Sequence, residues 1–180
     1  MPRYVALFRG INVGKAKRIA MADLRALLGK VGYTEVATLL NSGNVVFTGE
    51  AAPNLRHATR IREAVAKKLG VDALVIVKSA QEIAAVVKGN QLGAVATDAS
   101  RLLIALVQDD AGLKAVKSLM ADDWGNERML VGRNAAYLWC ANGILESRAL
   151  GKLLTGLKGL GTTRNCATLH KIHALMTNKE

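Results

Sequence analysis

Proline, cysteine and aromatic residues are scarce in this chain of 180 residues. Two prolines exclude a proline-rich or collagen-like stalk, and two cysteines are too few for a disulfide framework. Apolar runs are also short, because none approaches the ~20 residues that a membrane span needs. The first run, Tyr4–Phe8, is shorter than the core of an export signal. We therefore expect a cytoplasmic protein with no membrane partner.

Hydrophobic residues make up 51% of the chain, which is enough to build a packed core and excludes a disordered chain. The length fits one compact body or two small domains.

Positive charge is the strongest compositional signal, with 25 Lys and Arg against 14 Asp and Glu. The excess is uneven, because residues 1–90 hold 14 basic and 6 acidic side chains whereas residues 91–180 hold 11 and 8. A basic half favours anionic partners such as nucleic acid or phosphate-containing small molecules. The alternative is that the Lys and Arg side chains only occupy the solvent-exposed faces of helices and bind no partner.

Hydrophobic periodicity predicts the order β-α-β-β-α-β in the first half. Its predicted elements are the strands Arg3–Phe8, Glu35–Leu40, Val45–Thr48 and Ala73–Lys78, a helix over Met21–Val31 and a helix that begins near Pro53 and Asn54 and ends at Gly70. A further helix is expected to begin at Ser79, where Ser79 and Glu82 have capping-box spacing.

A similar order returns in the second half. Its predicted strands are Leu102–Val107, Arg128–Val131, Ala136–Cys140 and Leu160–Arg164, with helices after the first and third and a last helix over 165–176. The fold class is therefore α+β, with two ferredoxin-like (βαββαβ) subdomains, each an antiparallel sheet with helices on one face. We predict subdomains at 1–78 and 101–180, joined by a helix and connection at 79–100.

The loop after the first strand combines glycine with positive charge. Its candidate anion-binding residues are Arg9, Gly10, Asn12, Gly14, Lys15, Lys17 and Arg18. Glycine lets backbone amides approach an anion, and the helix that follows favours negative charge at its N-terminus. The loop is not a Walker motif, because three residues separate its glycines and Ala16 follows the lysine. The alternative is a strand-to-helix loop that needs glycine only for its turn.

The sequence at this loop, Arg9-Gly10-Ile11-Asn12-Val13-Gly14, resembles the signature of a bacterial family called domain of unknown function 1697. Residues 42–47 (SGNVVF) and 163–165 (TRN) also resemble patterns of that family. The resemblance implies paired ferredoxin-like subdomains and implies no established reaction. Cys166 stands where the family pattern has an aromatic residue.

Two further segments supply candidate ligand-binding residues. The hairpin turn contributes Asn41, Ser42 and Asn44, which can serve a ligand or simply close the turn. Joining them to Arg9 and Asn12 requires the loop and the turn to come together in space. Arg164 and Asn165, from the third motif, are expected to add charge and polarity to an anion site.

No residue pattern predicts a metal, a cofactor or a catalytic group. Cys166, His170 and His173 share one helical face, but a tetrahedral zinc site needs a fourth ligand. No Ser or Cys lies in a nucleophile motif. The acidic pair Asp109-Asp110 is expected to cap the helix that follows it, and the pair Asp122-Asp123 is expected to lie in the loop after that helix.

RNA recognition motifs share this element order and stack bases on aromatic residues of the sheet. The first predicted strand offers Tyr4 and Phe8 and the third offers only Phe47, and the full aromatic pattern of that domain is absent. Phosphate contacts are therefore expected to dominate any binding of nucleic acid.

The leading hypothesis is a non-catalytic protein that binds an anionic ligand, either nucleic acid or a nucleotide or phosphate. One alternative is an enzyme acting on a small phosphorylated or carboxylated metabolite in a cleft between the subdomains. Another is a protein-interaction module. The sequence leaves the oligomeric state open.

Overall fold

The computed structural model describes residues 1–178 and contains two four-stranded antiparallel sheets, each with helices packed against it. Each sheet with its helices resembles a ferredoxin-like unit, so the predicted fold class is confirmed. The first unit comprises residues 1–81 and the chain from Ile172 onward, and the second comprises Glu82–Lys171. The proposed boundaries at 1–78, 79–100 and 101–180 stay a prediction, and residues 179 and 180 lie outside the described chain.

The first sheet has the strand order β2-β3-β1-β4. Its elements are β1 (Arg3–Phe8), α1 (Met21–Val31), β2 (Thr34–Leu39), β3 (Asn44–Thr48), α2 (Asn54–Leu69) and β4 (Val75–Ser79). Alternate residues of β1 pack against the two helices, so that Tyr4, Ala6 and Phe8 share one core with Leu24 and Ile61. Residues on both faces of β1 are buried.

Helix α1 ends where the sequence predicts, at Gly32. Gly32 adopts a φ of 106°, and its amide donates to carbonyl oxygens of the last turn of the helix. The C-terminal end of the chain is fastened to the first strand, because Arg3 Nη1 donates to Leu175 O at 3.1 Å and Asn178 O at 2.8 Å. A guanidinium at this position offsets the negative end of the last helix.

The second sheet has the equivalent order β6-β7-β5-β8. The remaining elements are α3 (Ala80–Lys88), β5 (Leu102–Val107), α4 (Asp110–Val116), β6 (Arg128–Val131), β7 (Ala136–Trp139), α5 (Arg148–Gly156), β8 (Gly161–Asn165) and α6 (Cys166–Thr177). A 3-10 turn at Lys117–Ala121 extends α4. Side chains from β5, β7, α4 and α5 fill the core of this unit, including Leu103, Leu113 and Leu153.

Side chains cap helices of the second unit. The Asp109 carboxylate accepts from the Ala111 amide at 3.0 Å, and Ser147 Oγ accepts from the Leu150 amide at 3.0 Å. In the other acidic pair, Asp123 Oδ1 accepts from the Gly125 amide within a loop. Both pairs therefore occupy the structural positions that the sequence predicts. None of the helices within residues 1–178 combines the length and the hydropathy that a membrane span requires.

Candidate functional site

The loop between β1 and α1 is organised by Asn12. The Asn12 backbone has a φ of 55°, and its amide donates to Lys17 O at 3.0 Å. Its side-chain Nδ2 donates to Ile19 O at 2.9 Å, and its Oδ1 accepts from the Ile19 amide at 2.8 Å. Asn12 therefore closes the loop on itself just before helix α1 begins.

The loop and the hairpin turn come together in space. Asn12 Nδ2 also donates to Asn41 O at 2.8 Å, and the Phe8 amide donates to Gly43 O at 2.9 Å. Gly43 has a φ of 81°, and a Cβ added there would lie 2.6 Å from Ile11 Cδ1. Only glycine fits this turn without displacing the loop, because a side chain meets both backbone strain and a steric clash.

A pocket of about 370 Å³ lies where the loop, the turn and the start of α1 meet. We call it the first pocket; its lining residues are Asn12, Arg18, Ile19, Ala20, Met21 and Asn41. Ala20 occupies the N-cap position of α1 and has no side-chain group to accept from the first-turn amides. The positive end of the helix therefore faces the pocket without a capping oxygen from its own N-cap.

Arg18 is the basic residue that lines the first pocket, and its Nη1 donates to Gly14 O at 3.0 Å. Lys15 and Lys17 are exposed on the same loop, and Arg9 is half-buried. Lys17 lies close enough to lower the pKa of Asp72, although the first cause of that shift is the hydrogen bond from Arg62. Part of the positive charge of Lys17 is therefore offset locally.

The two glycines of the loop are open to solvent on their Cβ side. A Cβ built on Gly10 or Gly14 would meet no atom within 4 Å, and both residues have positive φ. They leave the loop backbone accessible.

The polar residues of the turn act mainly within the turn. Asn44 is fully buried, and its Nδ2 donates to Leu39 O at 2.7 Å and to Ser42 Oγ at 3.1 Å. Asn41 reaches the first pocket and supplies the backbone oxygen that Asn12 holds. The binding roles predicted for Asn41, Ser42 and Asn44 stay predictions.

Arg164 and Asn165 belong to the second unit, whereas the other predicted site residues belong to the first. Arg164 is 8% exposed and donates to Thr163 O at 2.8 Å and to Thr162 Oγ1 at 3.1 Å. Burial lowers the pKa of Arg164 to about 10, so the guanidinium remains charged at neutral pH. Asn165 Oδ1 accepts from the Thr168 amide at 2.8 Å and thereby caps α6.

Cys166 and His170 are close, with Sγ and Nε2 separated by 3.6 Å. Burial raises the pKa of the Cys166 thiol, and burial is also the main cause that raises the pKa of Cys140. Both thiols are therefore disfavoured as thiolates at neutral pH. Across residues 1–178, no three His, Cys, Asp or Glu side chains are grouped so that they could hold a metal ion.

The aromatic residues of the first sheet are not an exposed stacking surface. Tyr4, Phe8 and Phe47 are each less than 5% exposed and lie in the core beneath the helices. Tyr4 and Phe47, together with Tyr33, instead pack around His57, whose ring centroid lies 4.6 Å from that of Tyr4. The structure therefore gives no support to base stacking on this sheet.

Sequence reasoning missed the part that Ile19, Ala20 and Met21 play in the first pocket. The available signal was the absence of Ser, Thr, Asp or Asn directly before α1, which leaves the helix without a side-chain cap.

Comparisons with known proteins agree with this architecture. The model of a family described as Protein of unknown function (DUF1697) matches residues 1–137. The solved structure of the conserved bacterial protein SP0830 from Streptococcus pneumoniae is similar, with a TM-score of 0.75 and 21% identity. That match covers 98% of this chain and 99% of the other, and it shows the shared fold. No curated protein matches the sequence significantly.

Proposed function

We propose that this chain, which belongs to the DUF1697 family of proteins of unknown function, binds a phosphate-bearing ligand in the first pocket. The observation that carries the proposal is the meeting of Arg18 with the N-terminus of α1 in that pocket. Ligands of this class include a nucleotide and the backbone of a nucleic acid.

The chemistry of the pocket suits an anion in two ways. First-turn amides of a helix donate to an anion, and the helix dipole favours negative charge there. A guanidinium presents a planar fork of donors that matches the oxygens of a phosphate. Asp23, the acidic residue in the first turn of α1, lines a different groove, between α1 and α2, and so leaves the first pocket without a carboxylate among its lining residues.

The loop around the pocket adds long-range attraction. Lys15 and Lys17 are exposed beside Arg18, and the first half of the chain carries 14 basic against 6 acidic residues. Such charge raises the rate of encounter with anions and makes binding sensitive to salt. The glycines at 10 and 14 let a ligand approach the loop backbone closely.

Titration of labelled single-stranded DNA and of ADP at low and high salt tests this proposal. The double variant Lys15→Ala, Arg18→Ala is expected to bind about tenfold or more weakly, because it removes the guanidinium that lines the pocket and one neighbouring positive charge. The matched control is Lys67→Ala, Lys68→Ala, which removes the same charge from exposed positions on α2. Absence of binding at low salt, or equal weakening in the control, would contradict the proposal.

A further inference from the structure

The second unit has a pocket at the position that is topologically equivalent to the first pocket. The order β6-β7-β5-β8 repeats the order β2-β3-β1-β4, so α4 corresponds to α1 and the β6–β7 turn corresponds to the β2–β3 turn. Between α4 and that turn lies a pocket of about 510 Å³, which we call the second pocket.

Three basic side chains line the second pocket. Lys114 comes from α4, Lys117 from the 3-10 turn that follows, and Arg133 from the β6–β7 turn. All three are exposed, and none forms an ion pair with any residue of the described chain, 1–178. Asp110 is the one acidic residue among the lining residues.

The remaining surface of the pocket is partly apolar. Leu113 is 8% exposed and Val131 is half-buried, and both line the pocket with the basic residues. The side chains, and not the helix end, supply the positive field, because α4 has only seven residues and the Asp109 carboxylate already caps it.

We propose that the second pocket is a separate binding site for a phosphate-bearing ligand. Arg133 provides the forked donor that pairs with two phosphate oxygens, and Lys114 and Lys117 provide point charges. Three cations around one small volume favour a group that concentrates charge, as a diphosphate does. The volume is in the range of pockets for small molecules, and the apolar surface suits the uncharged part of such a ligand.

This site does not depend on the first pocket, and no sequence motif points to its three basic residues. The signal was present in the spacing of Lys114 and Lys117, which places both on one side of a helical segment. Only the fold brings Arg133 to them.

Amide chemical shifts test the proposal residue by residue. A titration with ADP at low ionic strength is expected to shift the amides of Gly132 and Asn134 saturably. The amides of Ala20 and Met21 report the first pocket in the same spectra. Adenosine, which lacks phosphate, is expected to leave Gly132 and Asn134 unchanged.

The triple variant Lys114→Ala, Lys117→Ala, Arg133→Ala is expected to weaken ADP binding at this site by at least about tenfold. Its matched control is Arg148→Ala, Lys152→Ala, Lys158→Ala, which removes the same charge from exposed positions of the same unit. Full binding in the control supports a defined site. Equal loss in the control would overturn it, as would unshifted Gly132 and Asn134 amides in the wild type with every phosphate probe.

A single-stranded oligothymidylate distinguishes the two sources of phosphate. If it shifts Gly132 and Asn134 and ADP does not, the phosphate site stands and its ligand is a nucleic acid backbone. For three phosphate contacts on a single strand, affinity is then expected to fall roughly 20-fold between ~50 mM and ~200 mM salt. Shifts at Gly132 without shifts at Ala20 would support this site and contradict the function proposed for the first pocket.

Discussion

The two units share one strand order but connect their first strand to their first helix differently. In the first unit, residues 9–20 form a long loop that Asn12 fastens to the β2–β3 turn. In the second unit, only Gln108 and Asp109 separate β5 from α4, and Asp109 caps the helix. In both units a pocket lies between the helix that follows the first strand and the turn that joins the second and third strands. The segment that links the first strand to that helix determines whether backbone groups or side chains provide the polar surface of the pocket.

The cores of the two units also differ in their buried polar groups. In the first unit, Tyr33 Oη lies 2.9 Å from His57 Nδ1, and His57 Nε2 lies 3.2 Å from Glu50 O. Because a carbonyl oxygen can only accept, Nε2 carries the proton and Nδ1 accepts from the tyrosine. In the second unit, a buried Glu127 carboxylate accepts from the Ala149 amide at the start of α5.

The largest effect is expected for Gly43→Ala in the first turn. The new Cβ would clash with Ile11 and Phe8, and the alanine backbone would have to keep a positive φ. Together these effects are expected to lower the free energy of unfolding by about 3 kcal/mol. Gly132→Ala in the second turn is the matched change, and its Cβ would meet atoms no nearer than 3.4 Å. Urea denaturation compares them, and equal destabilisation would break the contrast between the turns.

A smaller effect, about 2 kcal/mol, is expected for Asn12→Ala, which removes three side-chain hydrogen bonds. The matched variant is Asn134→Ala, because Asn134 lies in the second turn and its side chain bonds to nothing within residues 1–178. We expect less than about 0.5 kcal/mol for Asn134→Ala, as for other surface substitutions. Denaturation of both variants by urea measures the difference, and a stable Asn12→Ala protein would show that the loop does not need this bridge.

The pH dependence of stability is expected to distinguish the two units by a still smaller change in the free energy of unfolding. Burial is the main cause that lowers the pKa of His57 below its ordinary value, with Arg60 and Arg56 adding to it and Glu50 opposing it. The unfolded chain therefore binds a proton more readily than the folded chain, and stability is lost as pH falls below about 6.5.

This loss is expected to shrink in His57→Gln and to persist in His170→Gln, since His170 is exposed. Thermal melting between pH 7.5 and pH 5 makes the comparison, at values on either side of the histidine range. An unchanged pH profile in His57→Gln would contradict the buried, neutral assignment of this imidazole.

Much of the fold follows from local pattern. The strand Arg3–Phe8 and the helix Met21–Val31 have their predicted bounds. Apolar periodicity identifies each element, and Gly32 marks the end of the helix. The helix predicted to open at Ser79 begins at Ala80, directly after Ser79, as the capping-box spacing indicates. The preceding strand differs from its predicted bounds, because Ser79 pairs with Tyr4 and extends β4 one residue beyond Lys78.

The sites were less accessible from sequence because their residues meet through the fold. Asn41 lies 29 residues from Asn12, and no local pattern shows that its carbonyl accepts from Asn12. Likewise, Arg133 reaches Lys114 and Lys117 only through the sheet order. Arg18, which the sequence predicts as an anion-binding residue, lines the first pocket, but no sequence pattern shows the pocket itself.

The number of pyrophosphate ions bound per chain, measured by calorimetry at low salt, tests most directly whether the two equivalent pockets both bind anions. The account predicts two sites in the wild-type protein and one in either Lys15→Ala, Arg18→Ala or Lys114→Ala, Lys117→Ala, Arg133→Ala. Combining the five substitutions is expected to abolish saturable binding. A wild-type protein that binds no pyrophosphate, or an unchanged number of sites in both sets of variants, would contradict the account.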